Sequence, residues 1–201
     1  MSKIIVGFLL LFFPFAMPSA SSAATEADQV VTSFHSALLQ ILNEQAGQTD
    51  QARYDALQPT MDNAFNFDVM IKTISGRHWR KANEAERAAL RQAFRDLSIA
   101  TYADQYAGLT DGSFQTITSR DGPRGLKLVD TELKTSSKMI GFTYVLREKA
   151  GNWQIIDVLL DGGKISELAR KASEYSKTLK DGGANALISV LADQKESLLQ
   201  N

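Results

Sequence analysis

Trp153-Gln154-Ile155-Ile156-Asp157-Val158-Leu159-Leu160-Asp161-Gly162 begins just after the turn pair Ala150-Gly151 and ends on a second turn pair, Asp161-Gly162. Aliphatic and β-branched residues fill the interval, which reads as a strand. Apart from Asp157 it is apolar on both faces, so each face needs apolar cover and the strand is expected to lie centrally in its sheet. Three further strands precede it, at Phe114 to Ser119, Leu126 to Thr135 and Lys138 to Glu148, with Gly122-Pro123 and Ser136-Ser137 as punctuation and Asp111-Gly112 ahead of the first. In the third, Ile140, Phe142, Tyr144 and Leu146 share one face opposite Thr143 and Arg147. Sequential strands joined by short turns predict a four-stranded antiparallel meander.

On the N-terminal side the period becomes helical. Val30, Val31, Phe34, Leu38, Ile41 and Leu42 predict a helix over Asp28 to Glu44 that ends at Gly47. A short helix is expected over Asp50 to Leu57, stopped by Pro59, and another over Met61 to Ile74, closed by Gly76. Asn83-Glu84-Ala85-Glu86 has the pattern of a capping box and opens the longest helix, to about Tyr106, with Leu90, Phe94, Leu97 and Thr101 inward. After the strands, Ile165, Leu168, Ala172, Tyr175 and Leu179 predict one helix capped at Gly182-Gly183, and Leu187, Ile188, Leu191 and Leu198 a last one. The fold class is therefore α+β: one antiparallel sheet packed against helices from both the N- and C-terminal segments.

Residues 1–24 read as a secretory signal peptide, with Lys3, an apolar run from Ile4 to Phe15 and small residues at Ser21-Ser22-Ala23-Ala24. The run is shorter than the ~20 residues of a membrane span and is interrupted by Pro14. Residues 25–201 are then expected to form a single exported domain. The chain has no cysteine, which excludes disulfides, thiolate metal sites and a thiol nucleophile. A formal net charge of -1 gives no basis for a nucleic-acid partner.

Catalytic equipment is sparse. His35 and His78 lie on different helices without a ligand or acid partner at helical spacing, and no phosphate loop, nucleophile elbow or zinc motif is present. His35 is expected on a solvent-facing flank. Arg77-His78-Trp79-Arg80-Lys81 forms a basic knot, readable as a headgroup contact or as helix-end charge with Trp79 in the core. Asp157, alone in an apolar strand, needs a basic side chain or backbone amides as partner, because burying an unpaired carboxylate costs several kcal/mol. No residue is expected to be catalytic, to bind a metal or to hold a cofactor. The large apolar set Phe65, Phe67, Met70, Ile71, Phe94, Phe114, Phe142, Tyr144, Trp153, Val158 and Leu160 is, on a hydrophobic content of 44%, compatible with an ordinary core.

Three blocks resemble a known family. Phe65-Asn66-Phe67-Asp68-Val69-Met70 with Gly76-Arg77-His78-Trp79, then Ala85-Glu86-Arg87 through Phe94 to Thr101-Tyr102-Ala103, then Trp153 to Val158 with Gly162, Ile165-Ser166 and Gly183-x3-Leu187 are similar to the MlaC-like, or toluene-tolerance, periplasmic lipid-binding proteins. Asp157 to Gly162, Ile165 to Ala169, Ser173 to Tyr175 and Leu179-x3-Gly183-Ala184 look closest to the hopanoid-associated HpnM branch. The chain departs from that pattern at Gly163-Lys164 and at Asn66, neither an apolar position.

The resemblance implies a periplasmic, non-enzymatic carrier that holds a hydrophobic lipid, a hopanoid or related polycyclic lipid, and shuttles it between inner and outer membranes. It implies an apolar cavity between sheet and helices, with Phe65, Phe67, Met70, Ile71, Ile74, Phe94, Tyr102, Phe142, Tyr144, Leu146, Val158 and Leu160 as lipid-binding residues. The expected partners are the lipid, an inner-membrane lipid transporter and, transiently, a membrane surface, with the protein a monomer. A phospholipid shuttle of the same family, a small α+β enzyme using Asp157 or His35, and an adaptor that binds no lipid are the competing readings.

Overall fold

The computed structural model describes residues 25–109 and 111–200; the signal reading lies outside them. Five helices come first: α1 (Glu26–Glu44), α2 (Asp50–Ala64), α3 (Phe67–Ser75), α4 (Arg77–Lys81) and α5 (Glu84–Gln105). The strands follow: β1 (Ser113–Asp121), β2 (Leu126–Lys134), β3 (Met139–Lys149), β4 (Asn152–Leu160) and the short β5 (Ile165–Ser166). Helices α6 (Glu167–Glu174) and α7 (Ser176–Leu199) complete the described chain. None of the described helices is long and apolar enough to cross a membrane.

Local chemistry sets most boundaries. Thr25 and Asp28 form a capping box at the start of α1, and Asn83 and Glu86 form the expected one on α5. Pro59 does not stop α2. The helix carries it in its interior and continues to Ala64, because Leu57, Met61 and Ala64 are all buried and that burial outweighs the ~3 kcal/mol of an internal proline. The predicted helix from Met61 to Ile74 is instead interrupted at Phe65. There the backbone forms a parallel bridge with Ile155, the Asn66 amide donates to the Ile155 carbonyl at 2.9 Å, and the Asn66 side chain caps α3.

The sheet is antiparallel throughout, in the order β1-β2-β3-β4-β5. It has five strands rather than the expected four, because Ile165 and Ser166 pair with Leu160 and Leu159 before α6 begins. Ile165 is accordingly a strand residue, and the helix expected over Ile165 to Leu179 is divided at Tyr175. Gly183, at φ 66° and ψ -152°, breaks the regular path of α7 as a glycine can.

β4 is not central. It lies between β3 and the two-residue β5, and its double-sided apolarity has another cause. Leu146 pairs with Ile155 while Val145 pairs with Asp157, so Ile156 is the extra residue of a bulge and the facing pattern shifts there. Ile155 and Val158 thus share the face that carries Leu146, Tyr144 and Phe142. That face meets the helices. α1 packs on β1, β2 and β4, while α5 packs chiefly on α7 and α2, leaving a space between α5 and the β3–β4 end of the sheet.

Candidate functional site

This space is a cavity of about 460 Å³. Its helical wall comes from Met61 of α2, Phe67 and Met70 of α3, and Phe94, Ser98, Thr101, Tyr102 and Gln105 of α5, extended by Tyr106. Phe65 and, from the sheet, Phe142, Val158 and Leu160 face them. Ile165, Glu167, Leu168, Arg170 and Lys171 close the remaining side. The rings interlock: Phe65 stacks on Phe67 at 5.8 Å, Phe67 meets Phe94 edge to face at 6.3 Å, and Phe65 meets Tyr102 at 5.8 Å.

Eight of the sequence-derived candidates lie on this wall: Phe65, Phe67, Met70, Phe94, Tyr102, Phe142, Val158 and Leu160. The other four, Ile71, Ile74, Tyr144 and Leu146, belong to the packed core beside it. Ile71 and Ile74 sit on the turns of α3 next to Met70, and Tyr144 is drawn away by a polar contact. Its hydroxyl is hydrogen-bonded to His35 Nε2 at 2.9 Å.

His35 is buried rather than on an exposed flank. Its ring stacks on Phe114 at 3.8 Å, and burial pulls its pKa down to about 3, so it is neutral at ordinary pH. Burial also raises the Tyr144 phenol well above its usual range. The pair is a closed polar contact inside an aromatic cluster with Phe34, whose ring lies 5.1 Å from Phe65. Periodicity placed His35 beside Phe34; only the strand β1 folding over α1 buries it.

The open side of the cavity is marked by its exposed members, Gln105, Ile165 and Arg170. Arg170 is ion-paired to Glu167 at 2.7 Å, and the Lys171 ammonium lies 5.7 Å from the centre of the Tyr175 ring. Burial lowers the Lys171 pKa against the pull of Glu174. None of these α6 side chains was anticipated, since their sequence signal is that of an ordinary amphipathic helix.

Asp157 holds this side in place. Its carboxylate accepts hydrogen bonds from the Ser166 hydroxyl at 2.6 Å, the Val158 amide at 2.8 Å and the Leu168 amide at 3.1 Å, so its partners are amides and a hydroxyl. Burial pushes its pKa up despite these donors. It is a clamp between β4 and the start of α6. Asp157→Ala is expected to cost ~1 to 3 kcal/mol by orphaning the Ser166 and Leu168 donors, and to loosen α6 over the cavity. Thermal denaturation checks the first effect; an unchanged melting temperature would remove the clamp role.

Of the basic knot, the tryptophan goes to the core. Trp79 is buried, with Arg87 and Arg91 each 5.9 Å above its ring, while Arg77, Arg80 and Lys81 are exposed. Among the described residues no His, Asp and Glu side chains gather in a group that could hold a metal ion.

The model of the MlaC protein family matches residues 32–193, which include every wall of the cavity. The chain belongs to the MlaC family. No curated protein matches it. Among solved structures it is similar to a phospholipid-binding protein from Ralstonia solanacearum, determined in complex with a phospholipid. That likeness has a TM-score of 0.76 at 16% identity and covers 87% of this chain and 99% of the other. At such an identity the shared property is the fold, and the MlaC fold here is the sheet, helices and enclosed space described above.

Proposed function

We propose that this MlaC-family protein is an exported periplasmic carrier that takes a lipid from one membrane, holds its hydrocarbon part in the cavity and releases it at the other membrane. The observation that carries this reading is the cavity itself, walled by Phe65, Phe67, Met70, Phe94, Phe142, Val158 and Leu160 and open on one side. Hydrocarbon in water is disfavoured by about 0.8 kcal/mol per CH₂, so a carrier needs such a water-poor chamber and no covalent chemistry. The twelve residues named from the sequence divide, on this reading, into eight that touch lipid and four that support the wall.

The cargo is a hopanoid or related polycyclic lipid. Support comes from the resemblance of the Asp157 to Ala169 stretch to the hopanoid-associated branch, and flat aromatic rings around one compact chamber suit a rigid fused-ring skeleton. A phospholipid cargo is the second reading, favoured by the phospholipid in the Ralstonia solanacearum protein. Working as a monomer, the carrier exchanges its load with an inner-membrane lipid transporter and meets the membrane through the rim at Ile165, Arg170 and Lys171.

Transfer between vesicles tests the proposal. Donor vesicles carrying either a fluorescent polycyclic alcohol or a fluorescent phospholipid are mixed with acceptors and protein. Faster transfer of the polycyclic lipid is expected. Preference for the phospholipid would move the cargo to the second reading, and no acceleration of either would overturn the carrier.

A further inference from the structure

A second hollow, of about 720 Å³, lies between α1, the end of α2 and the β3–β4 turn. The Phe34 ring forms part of its floor and separates it from Phe65, which faces the lipid-sized cavity. Nothing in the carrier reading uses this groove.

Its lining has a distinct chemistry. Gln29, Asn63, Asn152 and Gln154 contribute planar amides, and Ser33 and Thr60 contribute hydroxyls. Trp153 lies half-buried along the wall, presented by the tight turn in which Ala150 and Gly151 both take positive φ. Gln154 is committed inward, accepting from the Asn66 amide at 2.9 Å. In contrast, the side chains of Gln29, Ser33 and Asn63 stand exposed along the groove, and Thr60 and Trp153 are partly exposed.

The charge balance narrows the ligand. Two carboxylates border the groove, Glu26 and Asp62, and Asp62 is already paired with Arg95 at 2.6 Å. No described lysine or arginine lines it, so a phosphate or sulfate would meet one uncompensated carboxylate and no cation. An apolar ligand would strip water from the exposed amides and hydroxyls at ~1 to 3 kcal/mol each. A ligand that is uncharged, dense in paired donors and acceptors, and apolar on its ring faces satisfies the whole set. Amides supply both donor and acceptor to vicinal hydroxyls, and the indole offers a flat face and a donor.

We propose that this groove is a carbohydrate-binding site that takes a short neutral oligosaccharide, with a pyranose ring against Trp153. The sugar has two sources: a free glycan, or the headgroup of a glycolipid. The site stands whether or not the neighbouring cavity carries lipid.

The test uses nuclear magnetic resonance on purified protein, titrated with neutral tetrasaccharides of glucose and of N-acetylglucosamine and, separately, with vesicles containing a monogalactosyl lipid. The chain has two tryptophans, so the indole of buried Trp79 is an internal control for that of Trp153. Saturable movement of the Trp153 indole signal with Trp79 unmoved is expected, and Asn63→Ala combined with Asn152→Ala, both exposed positions, should weaken binding about tenfold, equivalent to 1.4 kcal/mol. Binding of a free tetrasaccharide assigns the glycan source. Binding of the galactolipid alone, lost in the double variant while loading of an unglycosylated lipid is kept, assigns the headgroup source. No saturable binding of any probe, or binding that the double variant leaves intact, would overturn the site.

Discussion

Between pH 6.5 and pH 4 the protein is expected to lose stability steeply, and much of that loss should vanish in His35→Gln. In the fold His35 is buried against Phe114 and Tyr144, and its pKa is lowered from 6.5 to about 3. Above pH 6.5 the imidazole is neutral in both folded and unfolded chains and the effect is fully absent. As the pH falls below 6.5 the unfolded chain takes up a proton that the folded chain refuses, so the equilibrium moves toward unfolding until the folded pKa is reached. At 1.36 kcal/mol per pH unit the gap amounts to at most about 5 kcal/mol, most of it spent by pH 4. Glutamine keeps a hydrogen-bonding group near the Tyr144 hydroxyl but does not titrate. Urea denaturation of both proteins at pH 7 and pH 4 checks this; parallel losses would mean that His35 protonates inside the fold or is not buried as described.

Phe142→Trp is expected to leave a folded protein that carries about a tenth of the wild-type lipid. Phe142 stands on β3 across the cavity from α5, with the Phe114 and Tyr144 rings 6.5 and 6.4 Å away. In a solidly packed interior the larger ring would overpack and cost ~1 to 3 kcal/mol. Here it enters open space that a lipid would occupy, so the penalty falls on loading. Phe142→Ala should be correspondingly mild, below the ~3 to 5 kcal/mol of a phenylalanine removed from a packed core. Melting temperature and extracted lipid, measured on the same preparations, separate the two effects. A folded Trp variant with full lipid would place the cargo elsewhere.

The legible parts of this structure are those written in short-range chemistry. The capping box at Asn83 and Glu86, the alternation of Ile140, Phe142, Tyr144 and Leu146, and the turn pairs between strands each occupy a few adjacent residues, and each forms where expected. What escaped depends on distant partners. The break at Phe65 exists because β4 offers the Ile155 carbonyl, and α2 runs through Pro59 because α1 and α5 bury its other face. The bulge at Ile156 shifts the facing pattern and so accounts for the two-sided apolarity that made β4 look central, and β5 is too short to show a period at all. The candidate site was legible on its apolar side for the same reason that it resembles a core. Its other side, Ile165, Glu167, Arg170 and Lys171, is set by how Asp157 clamps α6, a contact with no local signature.

On the proposed function, the space between α5 and the sheet is a lipid chamber. Native mass spectrometry of the protein purified from its producing cells without detergent, followed by organic extraction, distinguishes a loaded chamber from an empty one. An added mass of one lipid per chain is expected, recovered in the extract as a polycyclic species and strongly reduced in Phe142→Trp. Protein that is folded, of bare polypeptide mass, and unable to take up lipid from vesicles would contradict it.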